Sequence, residues 1–183
     1  MDDSQKLKIS FLESQLNRIL ELTTRADTKA SILLAFLGVI MAAGISKESL
    51  TALTRIANQI QNYDSILIAI LLSIVLALPY LLLISGFIFL VLSLFARIDK
   101  RYGKISSSNL FFNKISDYQI FSEFEKSFNN TLNALETNLM SEIFINSKIC
   151  SVKFRFFNIG LILVSVGSVS MVILQVMLAF VMI

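Results

Sequence analysis

Three stretches of this chain contain no Asp, Glu, Lys or Arg: residues 30–46, 65–96 and 156–183. Runs this long without charge cannot cover a wet surface, so their natural solvent is lipid. At about 1.5 Å per residue, their 17, 32 and 28 residues give helices of roughly 26, 48 and 42 Å against a hydrocarbon core of about 30 Å. The first is marginal and the second overlong. Two spans joined by a tight turn within 65–96 would need about 40 apolar residues. One tilted helix is therefore expected there, bent at Pro79, the sole proline. Composition agrees: 55% hydrophobic and 16% charged residues are too apolar for a soluble domain.

The first stretch does not read as a signal peptide, because 29 residues of amphipathic character precede it and no small-residue cleavage site follows. Basic residues orient the spans. Five precede the first span, two lie between the first and second, and nine lie between the second and third. Because Lys and Arg near span ends are retained in the cytoplasm, segments 1–29 and 97–155 are expected inside. Residues 47–64 then form an external loop, and the carboxyl terminus ends outside. The net charge of +3 is met by flanking residues that snorkel to membrane lipid headgroups, so no nucleic-acid partner is implied.

Within 1–29, Ile9, Leu12, Leu16, Ile19, Leu20 and Thr23 recur at spacings of three and four. This predicts one helix that starts near Ser4 and runs into the membrane through Arg25, Asp27 and Lys29. In 97–155, Phe121, Phe124, Phe128, Leu132, Leu135, Leu139, Ile143, Ile149 and Val152 keep the same spacing and offer it a partner face. Gly103 and Ser106 to Asn109 are turn formers, and Asn129-Asn130 is a weaker break, after which a helix from Thr131 would enter the third span directly. The fold class is therefore an all-α membrane protein with three transmembrane helices, the first and third extending into a cytosolic helical bundle.

Small residues mark candidate packing seams within lipid, where close approach replaces the hydrophobic drive. Ser31, Ala35, Gly38 and Ala42 do so in the first span, Ala69, Ser73 and Ala77 in the second, and Gly160, Gly167 and Ser168 in the third. They hold one subunit together or form an oligomer interface. Gln175, the one strongly polar side chain deep in a span, is either an interhelical hydrogen-bond former or a pore-lining group.

Histidine is absent and Cys150 is the only cysteine, which removes the common general base, a Ser-His-acid triad and any cysteine-pair metal site. No cofactor or metal is expected, and an enzyme is disfavoured. Cys150 reads as a packing residue. What remains is a juxtamembrane constellation, with Arg25, Asp27 and Lys29 entering the first span and Lys148, Lys153 and Arg155 entering the third. These cations can hold a phosphate, with Phe154 or Tyr102 to stack a base. The alternative is that Asp27 pairs with Lys153 or Arg155 and sets helix register.

The run Arg25-Ala26-Asp27-Thr28-Lys29-Ala30-Ser31-Ile32-Leu33-Leu34, followed by Gly38, resembles the opening motif of the Pycsar transmembrane effector family of bacterial antiphage defence. Asn146-Ser147-Lys148-Ile149, continued by Lys153-Phe154, resembles a second. The order of leader, two spans, cytosolic segment and final span matches over nearly the whole chain. The resemblance implies an inner-membrane effector activated by a cyclic pyrimidine mononucleotide, cCMP or cUMP, from a partner cyclase. Membrane impairment by a homo-oligomer would then abort phage infection. No β-rich nucleotide-binding domain is visible, so a ligand would use the helical cytosolic segment, at the tentative residues Arg25, Asp27, Lys29, Lys148, Lys153 and Arg155. Rival readings are a membrane scaffold or subunit of a larger complex and a ligand-independent pore-forming toxin.

Overall fold

The structure is a computed structural model in which residues 3–61, 66–95 and 115–182 are described. Five helices follow in order: α1 Asp3–Gly44, α2 Lys47–Gln61, α3 Ile66–Leu94, α4 Phe121–Asn133 and α5 Leu135–Met182. No strand occurs among the described residues. Three of the helices, α1, α3 and α5, are long and apolar enough to cross a membrane. The turn formers Gly103 and Ser106 to Asn109 lie outside the described residues, as does Tyr102.

One geometric rule organises the long helices. On α5 the buried positions are Cys150, Lys153, Phe157, Gly160, Val164, Gly167, Met171, Leu174 and Leu178, which alternate steps of three and four. On α1 the buried or half-buried positions Leu12, Leu16, Ile19, Thr23, Ala26, Ala30, Leu33, Leu37, Ile40 and Gly44 do the same. On α3 the buried positions are Pro79, Leu83, Gly86, Leu90 and Ser93. A repeat averaging 3.5 residues is the mark of knobs-into-holes packing with a left-handed crossing. The expected amphipathic face of the leader is thus present, apart from Leu20, which is exposed.

The chain divides into two compact units, Met1–Ala26 with Ala96–Lys153 and Asp27–Phe95 with Phe154–Ile183. Two of the three boundaries, at 26/27 and 153/154, fall inside helices, α1 and α5, that do not break there. The first unit is rich in charge. It buries Leu12, Ala26, Leu139 and Cys150, the last as the packing residue expected. A salt bridge joins Lys8 on α1 to Glu136 on α5. Ahead of and within α4, Tyr118, Phe121, Phe124 and Phe128 form a chain of rings with centroids 5.6 to 6.3 Å apart. Tyr118 and Ser127 hydroxyls lie 2.6 Å apart. The break expected near Asn129-Asn130 falls instead at Ala134, so α5 starts at Leu135 rather than Thr131.

The second unit is the membrane unit. Its core comprises Ala30, Leu37, Ala52, Leu83, Leu90, Phe157, Val164, Met171, Leu174 and Leu178. Glycines set the approach of α3 to α5. A Cβ on Gly86 would stand 2.7 Å from Val164 Cγ2, one on Gly160 2.9 Å from Leu90 Cγ, and one on Gly167 2.9 Å from Leu83 Cδ2. Gly160 and Gly167 thus lie where α3 and α5 come closest. The stripe Ser31, Ala35, Gly38 and Ala42 does not, because all four are exposed and a Cβ on Gly38 would meet nothing within 4 Å. That stripe sits one or two residues past the seam positions 30, 33, 37 and 40, a rotation of at least about 100° out of it. Likewise Ser73 and Ala77 of α3 are exposed, and Gly86 takes the packing role.

The segment 47–64, expected as a loop, is mostly helix α2. Ser49, Ala52, Leu53, Ile56 and Ile60 form its inner face at helical spacing, and no Gly or Pro interrupts it. Ser46 caps it, its Oγ accepting the Ser49 N–H at 3.3 Å. Two polar links fix the junction. The Tyr80 hydroxyl donates to the Gly44 carbonyl at 3.1 Å, satisfying a backbone oxygen at the end of α1. The Ser49 hydroxyl donates to Gln175 Oε1 at 2.9 Å, so Gln175 forms an interhelical bond. Pro79 lies buried within α3 without ending it.

The glycine contacts generate a matched test. Gly86→Val overpacks the α3–α5 seam and is expected to cost about 1–3 kcal/mol, lowering the thermal midpoint in detergent. Gly38→Ala is expected to leave that midpoint unchanged or slightly raised, since its site is open.

Candidate functional site

The candidate residues are the polar groups of α1 and α5 that precede their apolar stretches, taken helix by helix, and helix geometry sorts them. Successive residues turn by about 100°, so Arg25 and Lys29, four apart, share one face of α1 while Asp27 points to the other side. On α5, Lys148 and Arg155, seven apart, share a face and Lys153 falls on the opposite one. Burial follows this division. Arg25, Lys29, Lys148 and Arg155 are exposed, Asp27 is half-buried, and Lys153 is only 6% exposed.

Of the candidates in the charged unit, Arg25 and Lys148 each have a local companion. Arg25 Nη2 lies 2.6 Å from Glu21 Oε1 one turn earlier, a pair that is largely exposed and of small energetic weight. Lys148 Nζ sits 5.5 Å from the Phe144 ring centroid, a cation–π contact. Both are weak enough to be exchanged for a phosphate. In the membrane unit, Lys29 and Arg155 are exposed at the first turn after each boundary.

Lys153 differs in kind. It occupies a seam position between Cys150 and Phe157, with its stem in the packed face of α5. Burial of an ammonium group is expensive unless it is engaged, and neither Lys153 nor Asp27 is without an interaction. The sequence grouping of six residues thus separates into four outward cations and two inward groups.

A second polar surface escaped the sequence reading. Ser10, Glu13, Ser14, Asn17, Arg18 and Glu21 line a shallow trough on the charged unit. They recur at spacings of three and one along the side of α1 opposite its seam. The signal was present as the polar half of an amphipathic helix, but such a face is ordinarily just solvated.

Three membrane-length helices, two of them running on into charged segments, define a small multi-span helical membrane protein. Its sequence matches the family model of the Pycsar effector protein domain over residues 11–183, and the chain belongs to that family. It is accordingly an effector of antiphage defence, in a family whose signal is a cyclic nucleotide from a cyclase partner. The membrane-length helices and the family together fit an inner-membrane protein. Neither a curated protein nor a solved structure matches the chain.

The division between outward and inward cations is testable by stability alone. Lys153→Ala is expected to cost about 1–3 kcal/mol, whereas Lys148→Ala should stay within about 0.5 kcal/mol of the parent, both read as thermal midpoints in detergent.

Proposed function

We propose that this effector is switched by a cyclic pyrimidine mononucleotide, cCMP or cUMP, that binds its charged helical unit, and that the switched form impairs the inner membrane. The observation that carries the reading is the continuity of α1 and α5 from the charged unit into the membrane unit. A helix that does not break between ligand and lipid transmits a shift or rotation at one end to the other. The ligand need supply only the difference between its affinities for the two arrangements.

Within the charged unit, the outward cations Arg25 and Lys148 are the groups best disposed to meet a phosphodiester, since both are exposed. Charge-assisted bonds to phosphate oxygens are stronger than the Glu21 pair and the Phe144 contact that they would replace. Lys153 and Asp27 act from the packed faces, holding the register that ligand binding alters. The nucleotide is a ligand and not a substrate, so the chain works without catalysis.

Impairment of a bilayer by a three-span chain needs several copies. The exposed stripe Ser31, Ala35, Gly38 and Ala42 supports self-association, because small residues allow close helix approach in lipid. The same stripe favours a second reading, in which it docks another membrane protein and the chain is a subunit of a larger complex. Detergent-stable pull-down of a different chain, without any leak on nucleotide addition, is the outcome that reading predicts.

Arg25→Glu with Lys148→Glu is expected to abolish nucleotide-triggered dye uptake in cells co-expressing a pyrimidine cyclase, while the protein still fractionates with the membrane. Undiminished uptake in this variant would exclude these cations as the ligand site. Titration of the solubilised parent with cCMP, cUMP, cAMP and cGMP is expected to show saturable binding of a pyrimidine nucleotide only.

A further inference from the structure

Helix α2 places charge at a level where its neighbours require lipid. Its contacts advance in step with α5: Gly44, just before it, meets Met171, Ser49 bonds Gln175, and Ile56 with Ile60 meets Leu178 around a shared cavity. Against α3 they advance in the reverse order, from Tyr80, bonded to Gly44 just before α2, to Ile66 and Ala69, which line a cavity with Ile60. The helix therefore runs alongside α3 and α5 rather than across them. At that level α3 turns Leu67 and Leu71 outward, 80% and 66% exposed. Side chains so apolar and so exposed belong in hydrocarbon.

The outer face of α2 is the opposite. Lys47, Thr51, Thr54, Arg55 and Asn58, with Glu48 at the margin, fall within an arc of about 120° at 100° per residue, and all are exposed. The Thr51 and Thr54 hydroxyls bond carbonyls of their own helix at 2.8 Å. Among the described residues, the charged groups have no such local outlet. Ionisable residues at membrane depth face a water-filled space or a partner rather than lipid tails.

The seating of α2 is incomplete as well. Beneath it lies a cavity of about 390 Å³ with an apolar lining that includes Ile56, Ile60, Leu72 and Leu174. Buried Gln175 Nε2 finds no hydrogen-bond partner among the described residues, although its Oε1 is engaged by Ser49. An imperfectly filled, imperfectly bonded interface is one that a modest change at α5 can shift.

We propose that the polar face of α2 is the wall of the aqueous path through which the assembled effector leaks, and that its ligands are water and small hydrated ions, anions preferred. The preference follows from two cations, Lys47 and Arg55, against one carboxylate, Glu48, repeated around a ring of copies. This inference rests on membrane impairment being the effector's action.

The test uses full-length protein in planar bilayers with cCMP or cUMP added on the charged side. Arg55→Glu is expected to move the reversal potential in a chloride gradient from the anion toward the cation side. Thr54→Cys, made with Cys150→Ala, is expected to lose conductance on addition of an impermeant thiosulfonate. Thr54 is a mild substitution site, so this second variant keeps the test open should Arg55→Glu fail to insert. If the parent conducts but neither variant responds, α2 merely rests on lipid headgroups and the inference is overturned while the functional reading stands. A parent that does not conduct with either nucleotide overturns both.

Discussion

A backbone in hydrocarbon must satisfy every N–H and C=O within the protein, and the fold depends on how this chain meets that demand. It does so with helices that outrun the membrane. α1 has 42 residues and α5 has 48, about twice what a span requires. Neither terminates where the apolar residues give way to Arg25, Lys29, Lys153 and Arg155. Ending a helix there would leave up to four carbonyls or four amides without partners at the edge of lipid. Extending it into a charged unit avoids that cost, and α1 and α5 each carry both a charged and an apolar segment without a break.

Seam geometry carries through the same rods. Alternating steps of three and four continue on α5 from Cys150 to Leu178, across the change from polar to apolar surroundings. Within the membrane unit this allows Gly160, Gly167 and Gly86 to bring α3 and α5 into contact, where dispersion replaces the hydrophobic effect as the source of attraction. On the seam, Lys153 is the exception that keeps an ionisable group among packed side chains. Such groups are costly and are retained for register or switching rather than for stability.

The three spans and the helical fold class were legible because hydropathy over some 20 residues is a strong, additive signal. Helix α2 was not, since a 15-residue amphipathic helix is too polar for that signal and its two basic residues made it look like a short exterior loop. Whether the stripe of Ser31, Ala35, Gly38 and Ala42 packs within the subunit was not legible, because small residues look alike on any face until a neighbour chooses one; all four are exposed. A shared position at the entry to a span grouped Arg25, Asp27 and Lys29 with Lys148, Lys153 and Arg155. Counting at 100° per residue already separates Asp27 and Lys153 from the rest, but only burial shows which side faces inward.

Amide hydrogen exchange, resolved residue by residue on the protein in lipid nanodiscs, tests the continuity of the two rods most directly. Uninterrupted helices keep slow exchange through Ala26-Asp27 and through Lys153-Phe154, with protection no weaker there than one turn to either side. Fast exchange at either junction would mean that the helix opens where water meets lipid, and a displacement in the charged unit would then have no rigid route into the membrane.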